Sequence, residues 1–149
     1  MIARTELRSE SLNLAADVSA PLNARLFVSQ WLTRWDLDHV AEAARAGVTE
    51  LAAWAVAHPG GALLRITVSV DGPLLFTEVA DGGNELPWRA AWLLASEGID
   101  DEEGREVAGL AVRLLEGAAL EWGADPMPGG RCLWASYRTV PDEPGSEPV

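Results

Sequence analysis

The spacing of apolar and polar positions changes along this chain, and each change predicts an element. Residues 5–15, TELRSESLNLA, partly alternate and predict an edge strand. In SAPLNARLFVSQWLTRW, Ser19 can cap a helix and Pro21 suits its first turn. Leu22, Leu26, Phe27 and Trp31, with Gln30 among them, give that helix its stripe. A second helix begins near Asp36. Leu37, Val40, Ala41, Ala44, Val48, Leu51 and Ala55 recur at helical spacing to about residue 58, where Pro59-Gly60-Gly61 stops it. In ALLRITVSV, Leu64, Ile66, Val68 and Val70 alternate with Arg65, Thr67 and Ser69, which is the period of a strand. DGP turns the chain, and LLFTEVAD returns as the hairpin partner.

Beyond that hairpin the signals weaken. GGNELP reads as a loop, WRAAWLLASEG as a short helix and IDDEE as a mobile acidic stretch. EVAGLAVRLLEGAALEWG predicts a helix despite two internal glycines, and MPGGRCLWASYRT predicts a turn and a final strand. The tail PDEPGSEPV has the composition of disorder. The order is strand, helix, helix, strand, strand, helix, helix, strand. It predicts an α/β two-layer sandwich of the α+β class, with helices on one face of a mixed, mainly antiparallel sheet. Residues 1–140 form one domain and 141–149 the disordered tail.

A chain of 149 residues, 48% hydrophobic, can bury one sizeable core. Its net charge of -12 repels nucleic acid and anionic membranes. All eleven basic residues are arginine, and they are scattered, so a lysine-based phosphate loop is excluded. Cys132, the one cysteine, can form no internal disulfide and reads as a buried, inert thiol. With no signal-peptide pattern and no membrane-length apolar run, the expectation is a cytoplasmic protein.

The segment ELAAWAVAHPGG carries the first chemical question. On a helix, Glu50, Trp54 and His58 share one face at four-residue spacing. Taken alone, Glu50 is a solvated charge and His58 a cation near a helix C-terminus. Asp81 before Gly82-Gly83 is a turn residue by the same reasoning. His39, beside Asp38, has no evident partner and reads as a surface residue.

Five stretches together resemble a known family: RLFVSQWLTRWDL, VTELAAWAVAHPGG, LLFTEVADGG, GLAVRLLEGAALEWG and PGGRCLWASY. In order and spacing, from about Arg25 to Tyr137, they are similar to the histidine-kinase-like ATPase domain of the bacterial anti-sigma-factor serine kinase type. The resemblance implies a Bergerat ATP-binding fold. It also implies a helix with glutamate as base, asparagine as magnesium ligand and a histidine, each four residues apart. Glu50 and His58 match, but Trp54 stands at the asparagine position. An indole has no lone pair for a hard cation, so magnesium is not expected. The family's adenine-contacting aspartate and its glycines fall on Asp81, Gly82 and Gly83. Its Gly-x-Gly-Leu phosphate turn falls on Gly109-Leu110-Ala111-Val112, with alanine replacing the second glycine. An anchor at Gly104-Arg105 fits the spacing less well. Asp100 to Glu103 would set four carboxylates near a triphosphate.

The resemblance therefore implies a degenerate member, binding ATP or ADP weakly if at all, with Trp54 occluding the pocket. It implies regulation by protein–protein contact in bacterial signalling or transcription control, through a sigma factor or an anti-sigma antagonist. Homodimers are also implied. The alternative is an active ATP-dependent serine/threonine kinase with Glu50 as base; a third reading is a pocket remade for another small ligand stacked on Trp54. Trp31, Trp35, Trp122 and Trp134 are expected in the core. Trp88 and Trp92 are expected to cover the pocket or to face a partner.

Overall fold

A computed structural model describes residues 7–86, 109–110, 113–114 and 116–140. The expectations for residues 87–108, Ala111 and the tail lie outside these, including those for Trp88, Trp92 and the acidic stretch.

The described elements run β1 (Arg8–Ala15), α1 (Ala20–Arg34), α2 (Asp38–Ala57), β2 (Leu63–Asp71), β3 (Leu74–Asp81), β4 (Glu121–Met127) and β5 (Gly130–Arg138). The five strands form one sheet in the order β1-β2-β3-β5-β4. All four pairings are antiparallel, so the expected mixture with parallel strands is corrected. The class is α+β. Both helices pack on one face of the sheet, α1 near β1 and β2, and α2 over β3 and β5.

Alternation fixes which face is buried. Leu64, Ile66 and Val68 of β2, Leu75 and Val79 of β3, and Leu133, Ala135 and Tyr137 of β5 face the helices and are buried. Across the register, Ile66 lies opposite Val79 and Val79 opposite Leu133. The outer face carries Arg65, Thr67, Phe76, Glu78, Cys132 and Trp134, none fully buried. Trp134 is therefore not in the helix-side core. Its ring meets Phe76 edge-on at 6.4 Å and lies across Gly123, where a Cβ would fall 2.8 Å from the indole. Trp31, Trp35 and Trp122 do pack against the core.

Helix α2 follows the predicted stripe: Val40, Ala41, Ala44, Val48, Leu51 and Ala55 are buried, with Leu37 packed beside them. It starts at Asp38, because Asp36 takes a left-handed φ of 59° between the helices. Helix α1 does not follow its predicted stripe. It buries Ala20, Ala24, Phe27, Val28 and Leu32, while Leu22 and Leu26 stay exposed. Ser19 sits at the N-cap position without capping by its side chain. Its hydroxyl donates instead to the Asp17 carboxylate at 2.5 Å, which also accepts the Ser19 amide and lowers the Asp17 pKa.

The predicted helix through Trp122-Gly123 is also corrected. Helical residues end at Glu116, and Glu121–Met127 forms β4. The strand sits at the sheet edge, the position in a sheet where a proline such as Pro126 is tolerated.

Candidate functional site

The end of α2, the end of β3 and the start of β5 converge. Each is followed or preceded by a Gly-Gly pair, and these loops pack backbone to backbone. The Gly82 amide donates to the Gly60 carbonyl at 2.7 Å. A Cβ on Gly130 would lie 2.0 Å from the Asp81 carbonyl oxygen, and one on Gly60 2.3 Å from the Gly83 amide. Glycine is required there by close approach of protein to protein.

That packing brings Arg131 onto the helix side of the sheet, directly opposite Asp81 in the register. Both side chains are almost wholly buried, 1% and 2% exposed. The guanidinium donates through Nε to Asp81 Oδ1 at 2.8 Å and through Nη2 to Oδ2 at 2.9 Å. Its remaining donors meet the Glu85 carbonyl at 2.8 Å and the His58 carbonyl at 2.5 Å. The Gly83 amide adds a further bond to Asp81 Oδ1 at 2.9 Å. Both charges are thus paired and hydrogen-bonded, which is the condition for burying them.

Trp54 forms the next layer. The Arg131 guanidinium carbon lies 4.9 Å from the indole centroid, in cation–π range. On the same helix the His58 imidazole stacks on the indole at 4.1 Å, with planes 18° apart. His58 Nδ1 lies 3.1 Å from Glu85 Oε2. Trp54 is 6% exposed, so the ring fills space within the fold. Its Nε1 has no hydrogen-bond partner among the described residues.

Glu50, His58, Trp54, Asp81, Gly82 and Gly83 were the expected site residues with described coordinates, together with Gly109. The structure brings Trp54, His58, Asp81 and Gly83 into one cluster. Glu50 lies apart, toward solvent, where its Oε1 accepts from Arg113 Nε at 2.6 Å. Gly109 lies beside that arginine; a Cβ on it would sit 3.2 Å from Arg113 Nη1. The cleft on this side is lined by Glu50, Ala53, Trp54, Ala57 and Arg113 and holds ≈ 140 Å³. Drug-sized ligands occupy roughly 300–1,000 Å³, so this cleft is small for a nucleotide. A second groove, of ≈ 310 Å³, is lined by Asn13, Leu63, Arg65, Ala80 and the β4–β5 turn together with Asp81 and Arg131 themselves.

Arg131 is the residue the sequence reading missed. The available signal was a charged residue at an inward position of a strand: Arg131 shares its parity with Leu133, Ala135 and Tyr137. Such a charge needs a buried partner, and Asp81 is the acid the register supplies. Trp54 stands where the resemblance expects a magnesium ligand. Trp54 offers no lone pair, and among the described residues no group of three His, Cys, Asp or Glu could hold a metal.

Cys132 and His39 are also settled by the geometry. Cys132 is half-buried, on the outer face rather than in the core. Burial first, then the nearby Glu78 carboxylate, push its thiol up to about 12. It is thus a poor nucleophile at neutral pH. His39 does have a partner: its Nε2 bonds the Thr139 carbonyl. No helix among the described residues is long and apolar enough to cross a membrane. No protein-family model matches this chain, and no curated protein matches it.

Proposed function

We propose that this chain is a regulatory binding protein of the anti-sigma serine-kinase type, on a Bergerat-like fold whose nucleotide site is closed. Its activity is then protein–protein contact in bacterial signalling or transcription control, with a sigma factor or an anti-sigma antagonist as the class of partner. The single observation that carries the closed-site reading is the Arg131–Asp81 pair. An adenine amino group would need to reach an Asp81 carboxylate oxygen, and that side chain is 2% exposed beneath the Arg131 guanidinium bonded to both its oxygens. Opening the site would require removing a buried guanidinium from its counter-charge, a step that costs about 3–5 kcal/mol. Trp54 and its stacking on His58 add a second closure at the position of the expected metal ligand.

Calorimetry with a non-hydrolysable ATP analogue tests this, with and without magnesium. The expected result is no saturable heat at millimolar nucleotide in either condition. A micromolar, magnesium-dependent site would overturn the reading and favour an active kinase.

A further inference from the structure

On the sheet face away from the helices, one row of residues crosses all five strands. From β1 to β4 its register runs Asn13, Arg65, Ala80, Cys132 and Asp125. Ala80, on the central strand, is too small to fill its place between Arg65 and Cys132. The next row toward the glycine loops holds Leu63 on β2 and Met127 on β4, with Gly130 opposite Met127. Small residues in the middle and long ones at the sides leave a groove of ≈ 310 Å³. Gly129 takes the left-handed φ of 76° that a tight turn after Pro128 requires, and the turn brings Met127 and Pro128 to the groove's side. Small-molecule sites enclose roughly 300–1,000 Å³, so this groove suits a ligand at the small end of that range.

The lining joins exposed apolar surface to an uncompensated charge. Leu63 is 58% exposed and Met127 49%. Arg45, Arg113 and Arg131 each meet an acid, and Arg34 lies over Trp31. Arg65 is exposed and has no acid, ring or side-chain hydrogen-bond partner among the described residues. An arginine on a sheet face is usually no more than a solvated charge. Arg65 differs in lining a cavity beside bare apolar side chains. Asp81 and Arg131 also reach this groove, but each neutralises the other. Glu78, the next outward residue of β3, accepts from the Cys132 thiol at 3.6 Å and forms no ion pair with Arg65.

We infer that this groove is a binding site for a small monocarboxylic acid with an aliphatic body. A guanidinium meets a carboxylate with two parallel N–H···O bonds. The Asn13 carboxamide, directly opposite Arg65 in the register, can donate a third. Leu63, Met127 and Pro128 cover the hydrocarbon. One guanidinium balances one negative charge. A phosphate dianion would keep a charge uncompensated in a chain of net -12. For the paired monoanion, repulsion from exposed acids is largely screened beyond about 8 Å. The site uses neither the Trp54 cleft nor a nucleotide, so it does not depend on the closed-site reading. It gives a protein that acts by contact with partners a small-molecule input.

Titration of the full chain with hexanoate, followed by amide and arginine Nε shifts in NMR spectra, is the test. The expected result is saturation with a dissociation constant of about 1 mM or tighter, and shifts centred on Asn13, Arg65, Ala80 and Gly129. Hexanol, which has the same chain and no charge, should bind at least about tenfold more weakly, and so should inorganic phosphate. Arg65→Gln should weaken hexanoate at least about tenfold. Its side chain is exposed, so circular dichroism should be unchanged. Ala80→Leu, which fills the floor of the groove, should weaken hexanoate as much. Arg25 is exposed on α1, across the sheet from Arg65, and Arg25→Gln should leave binding intact. No saturation up to roughly 20 mM hexanoate overturns the inference. So does hexanol or phosphate binding as tightly as hexanoate, or hexanoate binding that ignores Arg65→Gln.

Discussion

At the residue scale, one arginine decides what the candidate site can do. Asp81 and the glycines after it were legible as a possible ligand loop. Arg131, fifty residues on, could be connected to them only through strand register. Removing one member of such a pair differs from removing both, because it strands a buried charge. Arg131→Ala should therefore destabilise the fold by about 3–5 kcal/mol in urea melts, and Asp81→Ala should do likewise. The combined change Arg131→Met with Asp81→Leu should cost much less than the sum. Trp54→Asn should cost about 3 kcal/mol for its buried ring, because the cavity cannot fully collapse around the sheet. Additive losses for the Arg131 and Asp81 changes would mean the pair is not coupled as the geometry requires.

At the scale of elements, the outcome depended on whether one period dominated a segment. α2 and the β2–β3 hairpin were legible because burial on one side imposes one strong repeat. α1 misled because two leucines, Leu22 and Leu26, lie opposite a buried face that sets the small Ala20 and Ala24 beside Phe27, Val28 and Leu32. Leucine outweighs alanine in any periodicity count, while tight helix packing favours the alanine. β4 was hidden because EWGADPM has no alternation to read: it is an edge strand, and only Ala124 is fully buried. One small residue in α2 leads to a prediction with an unusual sign. Gly47→Ala in a helix normally stabilises by about 1 kcal/mol. Here the new Cβ would lie 1.6 Å from the Tyr137 hydroxyl, so the helix must lift or the ring must move. Thermal melts should show Gly47→Ala destabilised. Tyr137→Phe should cost little, since the one polar neighbour of that buried hydroxyl is the Thr77 hydroxyl, too poorly placed for a well-formed hydrogen bond, and should rescue Gly47→Ala in part. A stabilised Gly47→Ala would show that α2 does not sit this close to β5.

For the whole molecule, the missing lysines give the alkaline range unusual clarity. With every basic side chain an arginine, and one cysteine and one tyrosine in the chain, few groups titrate between about pH 9 and pH 12. Both Cys132 and Tyr137 are pushed up by burial to about 12, from ordinary values of 9.0 and 10.0. For Tyr137 the neighbouring Thr77 hydroxyl offsets this only in part. The folded state therefore holds both protons where the unfolded chain has begun to release them. An unfolded state that binds fewer protons gives stability that falls as pH rises. Their contribution is complete below about pH 9 and is lost progressively towards about pH 12. Tyr137, fully buried, should approach a slope of about 1.4 kcal/mol per pH unit above its unfolded value. Cys132, half open to solvent, should give less. Urea melts at stepped pH, with tyrosinate absorbance recorded alongside, measure both. Tyr137→Phe should flatten the steeper part of the decline and Cys132→Ala the earlier part. A stability that holds level from pH 9 to pH 12 in the parent chain would mean that the phenol and thiol ionise alike in the folded and unfolded states. Tyr137 would then have to be far more open to water than its place beneath α2 allows.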